Sequence, residues 1–148
     1  MSSMRYKKFQ PMISTDAAYI AGLIDGEGTI TLTRKHKNEY RQLCVSISST
    51  ERSLLEFVKS ATGVGIITNK RTTRPHHARS FTYAVYNRQA LALLNQIFPL
   101  LKSYKQYRAE LILENYLELT PRNGKYTSEM LARKKQFEHL VLSTKANS

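Results

Sequence analysis

Apolar residues recur along the chain with two periods, and these periods predict the order of its helices and strands. Apolar and polar residues alternate in the segments 29–35, 41–48, 66–73 and 79–86, as they do in strands with one buried face. Helical spacing fills the segments 16–25, 51–62, 87–98, 103–119 and 127–142. The order αββαββ followed by further helices favours an α+β fold with antiparallel strand pairs and helices on one face of the sheet.

Residues typical of helix ends lie at the boundaries of the helical segments. Ser14 and Thr15 offer an N-cap to the first helix, and Asn87 offers one to the third. Ser48 begins a Ser-x-x-Glu spacing that is typical of a capping box before the second helix. Gly63 is expected to end that helix, because glycine readily adopts the left-handed conformation found after a helix.

The chain reads as one domain preceded by a short arm. A length of 148 residues is typical of a single domain. Residues 1–13 are basic and show no clear period, so we expect an N-terminal arm there. The domain then covers 14–148, with a core at about 14–119 and a C-terminal helical extension at 120–148 whose role the pattern does not define.

The net charge of the chain indicates the class of its binding partner. Lys and Arg number 23 against 11 Asp and Glu, which gives a net charge of +12. No acidic residue occurs between Glu56 and Glu110, although nine bases do, so we expect an electropositive strand surface and a nucleic-acid partner. The single cysteine, Cys44, excludes an intramolecular disulfide and a multi-cysteine zinc site.

Membrane and secreted classes are not indicated. No apolar run approaches the roughly 18 residues that a membrane span needs, and the first residues lack the apolar core of a signal peptide. We therefore expect an intracellular protein, cytoplasmic in a prokaryote or organellar in a eukaryote, with no membrane partner.

A stripe of small residues marks the first helix. Ala18, Gly22 and Gly26 recur every four residues and so share one helix face. Glycine inside a helix costs about 1 kcal/mol relative to alanine, which indicates that another backbone approaches closely. That backbone could belong to a second chain or to the core of the same chain, and the spacing leaves both open.

Two carboxylates follow on the glycine-rich end of this helix. Asp25 and Glu27 are two residues apart, and acidic oxygens gathered on such a turn suit a hard cation such as Mg²⁺. Negative charge is disfavoured at a helix C-terminus, so a metal ion or a basic neighbour is needed to compensate. Ordinary solvation of the helix end is the alternative.

The segment Ile20–Gly28, IAGLIDGEG, closely resembles the LAGLIDADG motif of homing endonucleases. Ile, Gly and Glu replace the family's first Leu, second Ala and last Asp. The order of elements, the Gly63–Gly65 turn and the segment 99–109 are also similar to that family, so the resemblance covers about 16–119. It implies the αββαββα LAGLIDADG homing-endonuclease fold, with a saddle-shaped antiparallel sheet and here an extra C-terminal helix.

The resemblance also implies an activity. A family member of this kind is a site-specific DNA endonuclease that makes a double-strand break at a long, pseudo-palindromic target by metal-assisted phosphodiester hydrolysis. The break promotes mobility of an intron or intein. Two alternatives remain: an RNA-binding intron maturase of the same fold, with intron RNA as a partner, and a non-catalytic basic protein that binds nucleic acid.

A single motif per chain implies a homodimer. The resemblance places Ala18, Gly22 and Gly26 in the seam between two motif helices, with Asp25 at the same interface. It implies that the Glu27 side chain and the Gly26 carbonyl bind the divalent cation. Mg²⁺ is the expected cofactor, with Mn²⁺ as a substitute and Ca²⁺ binding without supporting efficient cleavage.

Two further active-site positions follow from the resemblance. Lys105 best matches the family's basic residue near the metal site, and it is assigned a catalytic role, with a solvated lysine or a phosphate anchor as the alternatives. The polar partner at the end of the second strand falls among Ser46, Ser48 and Ser49, and the alignment does not choose between them.

The solvent-facing side of the predicted sheet is the expected DNA surface. A twisted antiparallel sheet can lie in the major groove, where alternate side chains reach base edges, although any half-buried sheet has a polar face. By alternation, the expected DNA-binding residues are Thr31, Thr33, Lys35, Gln42, Ser46, Thr68, Lys70, Thr72, Ser80 and Thr82. Arg74 and Arg79, near a hairpin loop, are expected to reach flanking bases or phosphates.

Overall fold

The computed structural model of the chain describes residues 9–70 and 79–145. Its elements are α1 (Ser14–Glu27), β1 (Gly28–Thr33), β2 (Gln42–Ser49), α2 (Arg52–Thr62), β3 (Ile66–Lys70), β4 (Ser80–Tyr86), α3 (Asn87–Ile97), α4 (Lys105–Asn115) and α5 (Ser128–Ser143). A short 3-10 turn, Phe98–Leu100, joins α3 to the segment before α4. The predicted α+β class and the αββαββα order are confirmed, with α4 and α5 following.

The four described strands form one antiparallel sheet in the order β1-β2-β4-β3. The register sets Gly28 of β1 opposite Ile47 of β2, and Ile47 opposite Tyr83 of β4. Ile30, Val45 and other apolar residues of alternate positions are at most a few per cent exposed on one face. The helices α1, α2 and α3 pack on the strands and bury this face, as the apolar alternation predicts.

Two glycines set the connection from α2 to β3. Gly63 has φ +73° and follows the last residue of α2, and its N–H donates to the Lys59 carbonyl at 2.8 Å, so the predicted helix end is confirmed. Gly65 has φ +100°, and a Cβ there would lie 2.3 Å from the Tyr83 ring. Glycine is therefore required at 65 both for its backbone conformation and for the close approach of the ring.

Several predicted helix ends are wrong in detail. The first helix continues through Gly26 to Glu27 instead of ending at Asp25, since the Gly28 N–H still donates to the Ile24 carbonyl. The N-cap positions of α1 and α2 are Ile13 and Glu51, neither of which makes a side-chain cap. Ser and Thr are good caps only when the backbone places their hydroxyl at the helix end, and here it does not.

Asn87 does not cap α3 either. The N-cap of α3 is Tyr86, and the Asn87 side chain bonds to Gln42 and Tyr116 instead. The ends of the second and fourth strands move by one residue relative to the prediction, and residues 71–73 of the predicted third strand lie outside the described residues. Lys35, predicted at the end of the first strand, lies in the loop after Thr33.

Segments at both ends of the described chain pack on the domain. The Gln10 N–H donates to the Thr62 carbonyl at 3.0 Å, and the Met12 N–H donates to Gln96 Oε1 at 2.9 Å. At the other end α5 packs along β1 and buries Phe137 and Val141. Among the described helices, none is long and apolar enough to cross a bilayer.

Candidate active site and nucleic-acid interface

Lys105 binds the C-terminal end of α1 from the first position of α4. Its Nζ donates to the carbonyls of Ile24 at 2.7 Å, Asp25 at 3.0 Å and Gly28 at 2.7 Å. The side chain is 8% exposed, and burial lowers its pKa below 10.5, while the nearby charges of Asp25 and Glu27 oppose that shift. A cation at this position satisfies carbonyls that a helix end leaves unpaired and offsets its negative dipole.

Asp25 ties the same helix end to the start of α4. Its carboxylate accepts hydrogen bonds from the Lys102 N–H at 2.7 Å, the Ser103 N–H at 3.1 Å and the Ser103 hydroxyl at 2.5 Å. Burial raises the pKa of Asp25, but these hydrogen bonds and the Lys105 charge outweigh it and leave the pKa below 3.8. The carboxylate is thus occupied within its own chain, and the predicted place of Asp25 in a dimer interface stays a prediction.

Glu27 differs from Asp25 in being free. It is exposed at the last position of α1 and makes no hydrogen bond or ion pair with the described part of the chain. An exposed carboxylate beside the backbone carbonyl of Gly26 is an oxygen donor set that fits a hard divalent cation. Over residues 9–70 and 79–145, no three His, Cys, Asp or Glu side chains gather into a metal-binding group.

Gly28 makes the approach between α1 and β1 possible. A Cβ at Gly28 would lie 2.7 Å from the Ile24 Cα, which is too close for any other residue. Glycine there lets the strand start directly beneath the helix end, so that the Gly28 carbonyl can reach Lys105. The last glycine of the motif is therefore a packing requirement.

The stripe of small residues on α1 faces outward. Ala18, Gly22 and Gly26 are exposed, and a Cβ built at either glycine would meet no atom of residues 9–70 and 79–145 within 4 Å beyond the nearby backbone of α1. The opposite face carries Ile20 and Ile24, both fully buried. Packing of the stripe against the chain's own core, one of the two readings left open by the spacing, is therefore not found in the described structure.

Three cationic side chains bind alternate carbonyls of β1. Lys105 donates to the Gly28 carbonyl. Arg108 Nη1 donates to the Ile30 carbonyl at 2.8 Å, and Arg41 Nη1 donates to the Leu32 carbonyl at 3.2 Å. Carbonyls of alternate residues point to the same side of a strand, and β1 ends the sheet, so these cations cover its open edge. A covered edge cannot pair with a strand of another molecule.

Arg108 is not among the site residues predicted from the sequence. Besides the Ile30 carbonyl it also binds Thr144. Its Nε donates to the Thr144 hydroxyl at 2.6 Å, and its Nη2 donates to the Thr144 carbonyl at 2.7 Å. Burial lowers the pKa of its guanidinium below the usual value for arginine. It thereby joins β1, α4 and the end of α5. The signal in the sequence is its spacing of three residues from Lys105, which places both on one face of α4.

The polar face of the sheet gathers most of the predicted DNA-binding residues. The strand register puts six of them on the side opposite the apolar core, namely Thr31, Thr33, Gln42, Ser46, Thr68 and Thr82. Ser80 lies opposite Lys70 at the far edge, and Arg79 is exposed just before β4. The predicted positions Thr72 and Arg74 lie outside the described residues.

The three candidate serines have different surroundings. The Ser48 hydroxyl is hydrogen-bonded to the Thr82 hydroxyl at 2.9 Å, and the Ser49 hydroxyl accepts the Glu51 N–H at 3.0 Å. Ser46 lies on the polar face opposite Thr29 and is half-buried, and its hydroxyl makes no hydrogen bond with the described residues. Ser46 is therefore the member of the three whose hydroxyl has no hydrogen-bonding partner among the described residues.

The fold is shared with a known protein family. A family model described as a LAGLIDADG-like domain matches residues 14–98, which is more than half of the chain. No curated protein sequence matches the chain. The matched segment begins with α1 and includes all four described strands and α3.

Solved structures share the fold. The homing endonuclease I-CvuI, in complex with its target in the presence of Ca, matches with a TM-score of 0.73 and 17% identity, over 90% of this chain and 84% of that one. The archaeal intron-encoded homing endonuclease I-Vdi141I, complexed with DNA, matches with a TM-score of 0.70 and 19% identity, over 90% and 86%. The meganuclease I-AabMI, bound to uncleaved DNA, matches at 0.58 and 22%, over 82% of this chain and 43% of that one.

Proposed function

This chain belongs to the LAGLIDADG-like family, and from that premise we propose that it is a homing endonuclease that cuts both strands of a long, pseudo-palindromic DNA site. The proposal is supported by the family match, the net charge of +12 and the fold shared with proteins solved on DNA. The resulting break would promote the mobility of the intron or intein that encodes the protein.

The observation that carries this proposal is the free Glu27 carboxylate at the end of a helix whose outer face is a stripe of small residues. An exposed, close-packing helix face beside an unpaired acid fits a site shared by two chains. In a symmetric dimer the same patch meets itself, so pairing through Gly22 would bring the two Glu27 residues together. The active species is then a homodimer, and its target has two inverted half-sites.

A divalent cation, Mg²⁺ first, is the proposed cofactor. The Glu27 carboxylate and the Gly26 carbonyl of each chain would hold it, and I-CvuI on its DNA target was itself solved in the presence of Ca. When bound, such a cation activates water and neutralises charge on the phosphate. Lys105 keeps the end of α1 in place through its three carbonyl contacts, and its positive charge adds to the field near Glu27.

DNA would lie along the polar face of the sheet. The hydroxyl and amide side chains on this face, such as Thr31, Gln42 and Thr82, suit base edges in the major groove. Exposed bases such as Arg79 at the rim suit phosphates, which supply affinity that falls with salt. The strand side chains would thus read the DNA sequence, and the bases at the rim would bind the DNA backbone.

A cleavage assay tests the proposal. Purified protein is incubated with a plasmid that carries the intron-free insertion locus, with Mg²⁺ or with EDTA, and Glu27→Gln serves as the matched control. A double-strand break at one place, seen only with wild type and Mg²⁺, is the expected result. Specific binding without cleavage by the wild type would contradict an endonuclease and favour the non-catalytic alternative, and preferential binding of intron RNA would favour a maturase.

A further inference from the structure

Gln42 lies at the end of the polar face that is remote from the motif. It opens β2 opposite Thr33, whereas Gly28 and Ile47 pair five residues further along the ladder. At about 3.3 Å per residue this is roughly 17 Å, or about five base-pair steps along DNA. If the sheet lies on DNA as proposed above, on which this inference rests, Gln42 contacts the outer part of each half-site.

The Gln42 amide is held by a chain of three hydrogen bonds. The Leu43 N–H donates to the Tyr116 hydroxyl at 3.1 Å, and the Tyr116 hydroxyl donates to Asn87 Oδ1 at 2.8 Å. The Asn87 Nδ2 then donates to Gln42 Oε1 at 2.9 Å. We refer to Tyr116, Asn87 and Gln42 as the amide relay.

The three hydrogen bonds run in one direction, starting from a backbone donor. A backbone N–H can only donate, so the Tyr116 oxygen accepts from Leu43, and in the structure the Tyr116 hydroxyl donates to Asn87 Oδ1. Asn87 therefore presents oxygen to Tyr116 and nitrogen to Gln42. The orientation of a side-chain amide is inferred from such a network, and the hydrogen bonds of this one place Asn87 Oδ1 toward Tyr116 and Asn87 Nδ2 toward Gln42.

The relay has a rigid base. Tyr116 is 1% exposed, and its ring lies in the core. Asn87 has φ +54°, a left-handed conformation that Asn and Asp tolerate better than other side chains. Its side chain therefore projects from a fixed point at the junction of β4 and α3, and Gln42, half-buried beside it, is the first member with access to DNA.

We propose that Asn87 and Tyr116 are specificity-determining residues that act through Gln42. Because Oε1 is turned toward Asn87, Gln42 presents its Nε2 amino group to the base edge as a donor. Guanine offers two acceptors in the major groove, N7 and O6, while cytosine offers the N4 amino donor. The relay therefore selects guanine and rejects cytosine at the base that Gln42 contacts. Neither Asn87 nor Tyr116 needs to touch DNA.

Asn87→Asp reverses the relay with almost no change in shape. Both carboxylate oxygens of Asp accept, so one accepts from Tyr116 and the other from Gln42 Nε2. The Gln42 amide then turns over and presents Oε1, an acceptor, to the base. The variant is expected to prefer cytosine, or adenine with its N6 amino group, at the same position.

The experiment is selection of bound sequences from a DNA library randomised over the half-site. Gln42→Ala identifies the contacted position as the one where base preference disappears. At that position, wild type should favour guanine over cytosine by about tenfold, which is the lower range of a good side-chain contact. Asn87→Asp should invert that preference, and Tyr116→Phe should flatten it.

Matched controls separate charge from orientation. Asn95→Asp adds the same charge at an exposed position of α3 and should leave the base preference unchanged. In the Gln42→Ala background, Asn87→Asp should also have no effect at that position. An unchanged guanine preference in Asn87→Asp, or a change at a different position from Gln42→Ala, would overturn the relay. Failure of wild type to select any sequence would instead overturn the proposed function.

Discussion

The ammonium nitrogen of Lys105 lies 2.7 Å from the carbonyl oxygen of Ile24, at the end of the helix that carries the acidic motif. Two carboxylates at a helix C-terminus need a compensating positive charge, and this cation comes from the same chain. The end of α1 is therefore held by a side chain of α4, and the Glu27 carboxylate makes no hydrogen bond with the described residues.

Lys105→Met should destabilise the protein. The substitution keeps most of the side-chain volume but removes the donors to three carbonyls, and loss of charged hydrogen bonds at a buried position costs about 2–3 kcal/mol. The free energy of unfolding in urea measures the effect. Lys102→Met is the control, because the Lys102 side chain is exposed and surface changes are usually within about 0.5 kcal/mol. Equal stability of the two variants would contradict the role of Lys105 at the helix end.

The catalytic assignment of Lys105 has a separate readout. At a temperature where Lys105→Met is fully folded, we expect cleavage to fall by more than DNA affinity does. An equal loss of both would make Lys105 a phosphate anchor.

Glu27→Gln should abolish cleavage while DNA binding and folding are retained. The carboxylate has no hydrogen-bonding partner in the described structure and is exposed, so its replacement should change stability by less than about 0.5 kcal/mol. Cleavage and gel-shift assays on the same DNA, with a thermal melt as the control for folding, measure the separation. Cleavage by Glu27→Gln close to the wild-type rate would contradict the metal-binding assignment.

The sequence predicts the elements of the fold well because their signals are local. Alternation places Ile30, Val45 and Tyr83 on one face, and the structure buries all three. Gly63 ends α2 because the left-handed turn is a property of that residue and its neighbours. The motif Ile20–Gly28 is also a local pattern, and it leads to the correct family.

The errors arise where a distant side chain decides the local structure. The first helix extends to Glu27 with Lys105, about 80 positions away in the chain, bound to its last turn. Asn87 is a residue type that commonly caps helices, but its side chain is hydrogen-bonded to Tyr116 and Gln42 instead. Such contacts depend on how complete helices and strands pack together, and the local periodicity of the sequence carries no information about that packing.

Lys134 should make stability depend on pH in the alkaline range. It is 3% exposed, its Nζ lies 5.4 Å from the Tyr126 ring centroid and 5.8 Å from that of Tyr40, and it donates to the Leu119 carbonyl at 3.3 Å. Burial lowers its pKa below 10.5, with the Glu138 charge opposing. Between the lowered value and 10.5 the folded state releases this proton first, so the unfolded state binds more protons and stability rises with pH.

The comparison of wild type with Lys134→Met isolates this effect. The unfolding free energy of wild type relative to the variant should be constant at neutral pH and should increase as pH rises toward 10.5. Urea titrations at a series of pH values measure it, and titration of the tyrosines is common to both proteins. Lys135→Met, at an exposed neighbour, should track wild type. A difference that does not vary with pH would show that Lys134 keeps its ordinary pKa.

Gly22→Leu should separate the two chains of the proposed dimer without unfolding either. A Cβ at 22 points outward and meets no atom of the described residues within 4 Å beyond the nearby backbone of α1, and leucine has a higher helix propensity than glycine by roughly 1 kcal/mol. The monomer should therefore be at least as stable as in wild type. In a seam where two helix backbones approach, the same side chain has no room.

Sedimentation velocity distinguishes the two outcomes. Wild type should sediment at about twice the chain mass of 17.0 kDa, and Gly22→Leu as a single chain with cleavage lost. Gly22→Ala adds one methyl group at the same place, so it should weaken the dimer less than leucine does. If Glu27 of both chains forms each cutting centre, as proposed, cleavage should follow the dimer fraction across the series. A wild-type monomer that cuts both strands at an asymmetric site would contradict the homodimer.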